Sequence, residues 1–201
     1  MKKLVLLRPE PGLSASAERA RALGLEVIAA PLFRVEQVEW SAPDPTAYDA
    51  LLLTSANALR HGGAGLQEIK HLPVHAVGAT TADAARDAGF TVASVGEGGV
   101  DELLARLPTG LHLLHLAGHD RYPVAGRHRI EVRTVYRSID IADPGLPSLD
   151  GLVVAVHSAR AGGRLADLAH SRDLAAIAAI SAEAARGCGE GWGSIGVRQR
   201  P

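Results

Sequence analysis

The segment LLLTSANALRHGG, residues 51 to 63, has a counterpart in VAVHSARAGGRLA, residues 154 to 166. A second pair follows in the same order: AVGATTADAARDAGF, residues 76 to 90, and AISAEAARGCGEGW, residues 179 to 192. Each segment joins a short apolar run to an Ala-rich stretch with helical spacing. The repeat therefore predicts two related α/β units within one chain.

The spacing of the two pairs supports this interpretation. Ser55 aligns with Ser158 and Gly78 with Ser181, and both pairs lie 103 residues apart in the sequence. The alternative is chance similarity between Ala-rich helices, because a biased composition raises the similarity of unrelated segments.

Ten short apolar runs follow one another along the chain, and Ala-rich segments lie between most of them. The runs are continuous rather than alternating, which is typical of parallel strands covered by helices on both faces. This order predicts an α/β fold with two doubly wound parallel sheets of about five strands each. The predicted strands are residues 4–7, 25–30, 50–54, 74–78, 90–95, 112–117, 130–136, 151–156, 174–180 and 194–197. The predicted helices include residues 14–23, 80–88, 100–107 and 182–186.

Two Pro-containing stretches, residues 31 to 45 and 140 to 150, are predicted to carry the chain from one unit to the other. Two such passages indicate that one domain is inserted into the other. We therefore expect a discontinuous α/β domain formed by residues 1–37 and 141–201, and an inserted α/β domain formed by residues 38–140.

The composition is that of a soluble globular protein, with 201 residues, 47% of them hydrophobic, and a net charge of −1. The balanced charge argues against a nucleic-acid-binding protein, although a local basic patch stays open. A single cysteine, Cys188, excludes an internal disulfide. The apolar runs are too short for a membrane span or a signal peptide. We expect a cytoplasmic protein without nucleic-acid or membrane partners.

Small polar residues and glycines follow several of the predicted strands. In an open parallel sheet, ligands bind beyond the carboxyl ends of the strands, where helices begin with unpaired N–H groups. Helix capping accounts for any single Ser or Thr at such a position. The functional alternative is that these ends form two rims that bind anionic groups of a ligand.

Three other motifs point to no chemistry of their own. GEGG at residues 96 to 99 lacks the third glycine of a dinucleotide fingerprint and the Gly-Lys-Ser/Thr of a triphosphate loop, which disfavours a nucleotide-dependent enzyme. His112, His115 and His119 do not predict a metal site, because the first two would lie on opposite faces of one strand. The GxSxG pattern of a nucleophilic serine is missing.

Six short motifs, in this order, resemble the uroporphyrinogen-III synthase family, the cyclases of tetrapyrrole biosynthesis. They are LVLLRPEP, LGLEVIAAPLF, YDALLLTSANA, VGATTA, TVYR and AISAEAA. Each motif is short, but together they extend over nearly the whole chain. The resemblance implies two α/β domains joined by a two-strand linker with a cleft between them, the first domain being formed by both chain ends.

The resemblance also implies a reaction. Hydroxymethylbilane, a linear tetrapyrrole with eight carboxylates, would be cyclised to uroporphyrinogen III with loss of water and inversion of ring D through a spiro intermediate. This is a lyase reaction of haem biosynthesis that uses no cofactor, and we expect a monomeric enzyme. Because the substrate loses its hydroxyl readily, the protein would act mainly by holding both ends of it in the right geometry.

Site residues are carried over from the family where the motifs match. Tyr136 matches the tyrosine that helps the hydroxyl leave, and a protonated phenol can donate a hydrogen bond to that oxygen. A strand-end tyrosine that only packs its ring is the alternative. Ser55, Thr81 and Ser158 match cleft positions of the family. We further expect substrate contacts from Arg8 and Arg137 and from the strand-end residues Gly78, Thr80, Gly118 and Ser181, with Arg121, Arg127, Arg129 and Arg160 as weaker candidates. Solvated surface is the alternative for each arginine.

The sequence departs from the family at three places in the first domain. Leu7 stands where many members have Thr, and Glu183-Ala184 stands where a Thr-Ala pair is common. The second repeat also stops soon after Val197, without the helix that follows Val95 in the first repeat. We expect the uncovered sheet face to expose apolar side chains. A two-domain binding module for an anionic small molecule, without catalysis, would share all these features and is the alternative function.

Overall fold

The computed structural model describes residues 3–121, 123–124 and 126–198. Within these ranges the strands are β1 Lys3–Leu6, β2 Glu26–Ala29, β3 Phe33–Gln37, β4 Ala50–Leu53, β5 Val74–Val77, β6 Val92–Gly96, β7 His112–Gly118, β8 Arg129–Asp140, β9 Val153–Val156, β10 Ala176–Ala179 and β11 Ser194–Val197. The helices are α1 Gly12–Ala22, α2 Asn57–Arg60, α3 Gly65–Glu68, α4 Ala79–Asp87, α5 Val100–Arg106, α6 Ala159–Leu168 and α7 Ala182–Gly187. Of these helices in the described ranges, none is both long and apolar enough to cross a membrane.

The chain divides into two compact units. Unit 1 contains Met1–Val35 and Ile139–Pro201, and unit 2 contains Glu36–Ser138. One sheet has five strands in the order β11-β10-β9-β1-β2, with every neighbouring pair parallel. The other has six strands in the order β3-β8-β7-β4-β5-β6, parallel from β8 to β6. The predicted α/β class with two doubly wound parallel sheets is confirmed.

The internal repeat is visible in the two strand orders. Strands β4 to β8 occupy the same relative positions in their sheet as β9, β10, β11, β1 and β2 occupy in theirs. The register agrees as well, because Leu52 of β4 lies opposite His115 and Ala155 of β9 lies opposite Leu6. Residues 52 and 155 lie 103 positions apart, as do Ser55 and Ser158. His115 therefore occupies in unit 2 the position that Leu6 occupies in unit 1.

All ten predicted strands are present, and β3 is an eleventh that the sequence did not reveal. Its residues FRVEQ were assigned to a connecting stretch, because they lack the continuous apolar run of the other strands. The strand pairs with the end of β8: Val38 N–H donates to Val135 O, and Ile141 N–H donates to Leu32 O, an antiparallel register. The division at residues 138 and 139 therefore falls inside β8, and the 140–150 stretch lies within unit 1.

Unit 1 packs helices on both faces of its sheet, although not completely. On one face, α6 and α7 cover a core that includes Val154, Ile177 and Leu165. On the other, α1 places Leu13 and Ala17 against Leu6. Strand β11 is exposed at all four residues, with large apolar side chains such as Ile195 and Val197 accessible to solvent.

Unit 2 also carries a core on each face of its sheet. One face, with Leu53 and Leu114, is covered by side chains of α2, α3 and α4 such as Leu59 and Ala82. The opposite face, with Leu52 and Leu113, is covered by Leu103 and Leu104 of α5. Burial on both faces explains why the strands read as continuous apolar runs.

Buried polar side chains on this second face include His75 and His115. His115 is only 1% exposed, and its Nε2 lies 3.1 Å from Thr54 Oγ1. Burial, with a smaller contribution from the Arg121 charge, lowers the pKa of His115 to about 4. The ring is therefore neutral in the folded protein near pH 7.

The depressed pKa of His115 predicts an acid-sensitive fold. As the pH falls from about 6.5 towards 4, the unfolded chain binds a proton at this residue and the folded chain does not, so stability is lost across that interval. The loss from this one group is on the order of 3 kcal/mol at pH 4. His115→Leu, which introduces the residue found at Leu6, is expected to fold and to lose less stability over the same range. Urea unfolding at a series of pH values checks this, and identical pH slopes for both proteins would contradict it.

Candidate functional site

The N-terminus of α4 lies at the carboxyl edge of unit 2, directly after β5. Gly78 connects β5 to α4 and has a φ of +83°, and no side chain caps the helix. Thr81 N–H makes the first bond back to Gly78 O, so the N–H groups of Ala79 and Thr80 precede the helical hydrogen bonds. These two donors, together with the helix dipole, favour a negatively charged group here.

The two threonines at this helix end differ in accessibility. Thr80 is exposed, whereas Thr81 is only 5% exposed and faces the core. Thr80 is therefore the member of the pair whose hydroxyl is open to a ligand from the N-terminus of α4.

Tyr136 lies opposite the last residue of β7 and is seated on Gly118. The two residues are paired across the strands after a register shift, and His119 N–H donates to Tyr136 O at 2.9 Å. A Cβ added to Gly118 would come within 2.7 Å of two ring carbons of Tyr136. Glycine is thus required for the position of this ring, and Gly118 has a clear structural role besides any contact with a ligand.

The surroundings of the Tyr136 hydroxyl are sparse. Among residues 3–121, 123–124 and 126–198 it has no hydrogen-bond partner. The ring of His61 lies near that of Tyr136, with a centroid separation of 6.3 Å and a tilt of 38°. Burial, followed by the charge of Arg60, lowers the pKa of His61, which keeps this imidazole neutral. Sequence reasoning did not identify His61, because it follows a four-residue helix that carries no recognisable motif.

Two of the three predicted serines, Ser158 and Ser181, cap helices, and Ser55 makes a local bond just before α2. Ser158 Oγ accepts from Ala161 N–H and Ser181 Oγ from Ala184 N–H, each at 3.2 Å, while Ser55 Oγ accepts from Asn57 N–H. Ser158 and Ser181 are exposed in unit 1, and Ser55 is half-buried in unit 2. In each of these bonds the serine oxygen accepts through a lone pair, so its hydroxyl hydrogen can still donate to a ligand.

The predicted arginines differ in their surroundings. Arg8 lies over the first turns of α1 and donates to Ser16 Oγ at 3.1 Å, and burial together with Arg19 lowers its pKa. Arg137 is exposed and forms an ion pair with Glu36 at 3.4 Å.

The weaker candidates have partners of their own. Arg160 pairs with Asp140 at 2.8 Å, and its guanidinium stacks over the ring of Phe33. Arg127 donates to Ala105 O. Arg129 is exposed at the start of β8.

Arg121 is positioned beside a pocket of about 650 Å³ in unit 2. Its Nη1 donates to Gly118 O and to Thr134 Oγ1, both at 3.2 Å. The pocket walls that the structure describes are formed by His115, His119, Arg121, Pro123, Val124, Val132 and Thr134. His115 Nδ1 is buried and has no hydrogen-bond partner among the described residues.

The glycine-rich turn and the histidines of β7 make contacts within unit 2. Gly98 N–H donates to the Glu102 carboxylate at 2.6 Å, so the chain's own side chain already occupies the GEGG turn. His112 Nδ1–H donates to Ala47 O, while His115 pairs with Thr54 on the other face of β7. Within the described ranges, no group of three or more His, Cys, Asp or Glu side chains is arranged to hold a metal ion.

Comparisons with known proteins agree with this architecture. The sequence profile of the family described as Uroporphyrinogen-III synthase HemD matches residues 14–190. No curated protein matches the chain in sequence. The crystal structure of uroporphyrinogen-III synthetase from Helicobacter pylori superposes with a TM-score of 0.67 at 16% identity, over 97% of this chain and 92% of that one. A mutant uroporphyrinogen III synthase from the extremely thermophilic bacterium Thermus thermophilus superposes with a TM-score of 0.56 at 19% identity, over 98% of this chain and 94% of that one. The chain therefore belongs to the uroporphyrinogen-III synthase family, enzymes of tetrapyrrole and haem biosynthesis.

Proposed function

We propose that this chain cyclises hydroxymethylbilane to uroporphyrinogen III, with loss of water and inversion of ring D through a spiro intermediate, as a lyase without a cofactor. Family membership supports the reaction. The observation that supports a role for particular atoms is the position of the Tyr136 ring, which packs on Gly118 at the carboxyl edge of unit 2. The monomeric state and the cytoplasmic location belong to the same proposal.

Tyr136 would assist the departure of the substrate hydroxyl. Its phenolic O–H has no partner among the described residues, so it can donate to the leaving oxygen without first breaking a bond. The electron pair of the breaking C–O bond leaves with the oxygen, and the pyrrole nitrogen stabilises the resulting cation. The substituted α-carbon of the terminal pyrrole attacks this cation and forms the spiro intermediate. The bond from that carbon to its original methylene bridge then breaks and re-forms at the free α-carbon, which inverts ring D. The proton lost from that carbon and the departed hydroxide together make up the released water.

The carboxylates of the substrate would be held mainly by main-chain and hydroxyl donors. In unit 2 these are the N–H groups of Ala79 and Thr80 with the hydroxyls of Thr80 and Ser55, and in unit 1 the hydroxyls of Ser158 and Ser181. Holding both ends of a reactive chain in one geometry can lower a barrier by about 7 to 11 kcal/mol in well-aligned intramolecular cases. The protein then selects the inverted product by orientation.

The primary test supplies freshly prepared hydroxymethylbilane and separates the porphyrin isomers after oxidation. The expected product is isomer III, formed faster than the spontaneous cyclisation to isomer I. Isomer I alone, at the rate measured without protein, would reject the enzyme. Saturable binding of a tetrapyrrole without turnover would instead indicate a binding module.

Tyr136→Phe is expected to lower kcat by roughly tenfold or more while changing KM by less than about twofold, because the lost hydrogen bond forms only as the hydroxyl departs. The matched control is Tyr48→Phe, which removes a phenol at the opposite, amino end of the unit 2 strands, where Tyr48 bonds to Glu131. Steady-state kinetics on both variants provide the measurement. Unchanged kcat in Tyr136→Phe would remove this residue from the mechanism.

Gly118→Ala is also expected to lower kcat, because the added Cβ would lie 2.7 Å from the Tyr136 ring and would displace that ring. In the double variant with Tyr136→Phe, Gly118→Ala should cause little further loss, since both changes act on one hydroxyl. The kinetics of the two single variants and the double variant form the cycle. Fully additive losses would show that Gly118 acts independently of Tyr136.

A further inference from the structure

The two units differ in how one equivalent sheet face is covered. In unit 1, α1 connects β1 to β2 and packs Leu13 and Ala17 onto Leu6. In unit 2, the corresponding connection runs from β7 to β8, and the residues described between His119 and His128 form no helix. The pocket of about 650 Å³ lies where that helix would pack.

One residue under this opening has changed from apolar to polar between the units. His115 stands in the place of Leu6, whereas its register partner Val132 stands in the place of Ala29 and is apolar like it. Next to it, Thr134 and Arg121 form a hydrogen bond at 3.2 Å. A missing helix alone would leave an apolar hollow, whereas this pocket has a cation and hydrogen-bonding groups in its wall.

His115 has one ring nitrogen engaged and one unpartnered. Nε2 is 3.1 Å from the Thr54 hydroxyl, which can donate or accept, so the neutral ring can keep its proton on Nδ1 without losing that bond. Nδ1 has no partner among the residues described, and leaving a buried polar atom unsatisfied costs stability. A ligand that accepts a hydrogen bond from Nδ1 would remove this cost.

The charge in the pocket selects an anion. The Arg121 guanidinium is anchored through Nη1 to Gly118 O and Thr134 Oγ1, which fixes its planar fork at the carboxyl edge of the sheet. A planar carboxylate matches such a fork and gains charge-assisted hydrogen bonds. The apolar side chains of Val124 and Val132 suit the hydrocarbon part of an organic acid.

We propose that the pocket lined by His115, Arg121 and Thr134 binds a carboxylate, and that this carboxylate is an acetate or propionate substituent of the tetrapyrrole substrate. The assignment of the substrate rests on the proposed function. Arg121 and His115 then act as binding residues for one substituent, and Tyr136 acts at the hydroxyl that leaves.

The first experiment uses sodium propionate as the probe. It follows the histidine ring ¹⁵N resonances of the full chain, with propionamide as the uncharged control and sodium chloride at matched ionic strength. The His115 resonances should shift saturably with propionate and not with propionamide. Arg121→Gln should abolish this shift, whereas Arg86→Gln, which removes an exposed arginine paired with Asp83 on α4, should preserve it.

The second experiment measures turnover of hydroxymethylbilane. Arg121→Gln and His115→Leu should each raise KM by about tenfold, the loss expected for one charge-assisted hydrogen bond, with kcat changed much less. Arg86→Gln should match the unmodified chain. Since Arg121 is exposed, its variant is expected to fold even if the core substitution at His115 does not.

The outcomes separate the pocket from the proposed function. Absence of a propionate-dependent shift together with unchanged KM would overturn the pocket as a carboxylate site. A propionate-dependent shift with unchanged KM would overturn its assignment to the substrate and indicate a separate carboxylate ligand. Isomer I alone at the spontaneous rate would reject the proposed function, and the propionate titration would still decide whether the pocket binds a carboxylate.

Discussion

A parallel sheet buried on both faces depends on the elements that cover it. Each crossover between parallel strands must pass over one face, so the same connections that build the sheet also shield it. In unit 1, α1 shields Leu6, and in unit 2, α5 shields Leu52 and Leu113. The two places without such a helix in the described ranges are the β7 to β8 connection and the face beside β11. At these two places the described surface differs from that of an α/β unit with helices over both faces of its sheet.

The two uncovered places have opposite chemistry. The four residues of β11 are exposed, among them the apolar side chains of Ile195 and Val197. The β7 to β8 opening has His115 and Thr134 in its wall, with the Arg121 guanidinium anchored beside them. A polar side chain that is buried without hydrogen bonds costs stability. His115 is 1% exposed, and its bond to Thr54 satisfies only one of its two ring nitrogens. This contrast is why only the second opening supports a ligand of definite charge.

The sequence predicted the strands because buried parallel strands leave an unusually plain signal, a short apolar run bounded by turns. The repeat then predicted that two such units exist. Strand β3 escaped this reasoning because its residues are only partly buried and are joined to one neighbour, the end of β8. Pairing at a sheet edge leaves no apolar run, so it became visible only through the bonds from Val38 and Ile141.

The site was less predictable, for reasons of register and helix phase. Whether Thr80 or Thr81 faces solvent depends on α4 beginning at Ala79, one residue before the predicted start. The seat of Tyr136 on Gly118 depends on a register shift between β7 and β8, and the His115 bond to Thr54 joins residues 61 apart in sequence. Such geometry arises from strand pairing, which the local sequence does not encode.

Under the proposed function, the balanced charge of the chain would have a structural explanation. Binding an anion through Arg137 or Arg160 would compete with their ion pairs to Glu36 and Asp140. The N–H groups of Ala79 and Thr80 face no such competition, because helix geometry leaves them unbonded and Gly78 leaves no side chain in front of them. Main-chain donors also lose no side-chain entropy when they bind. A protein that recognises several carboxylates in this way needs no surplus of positive charge.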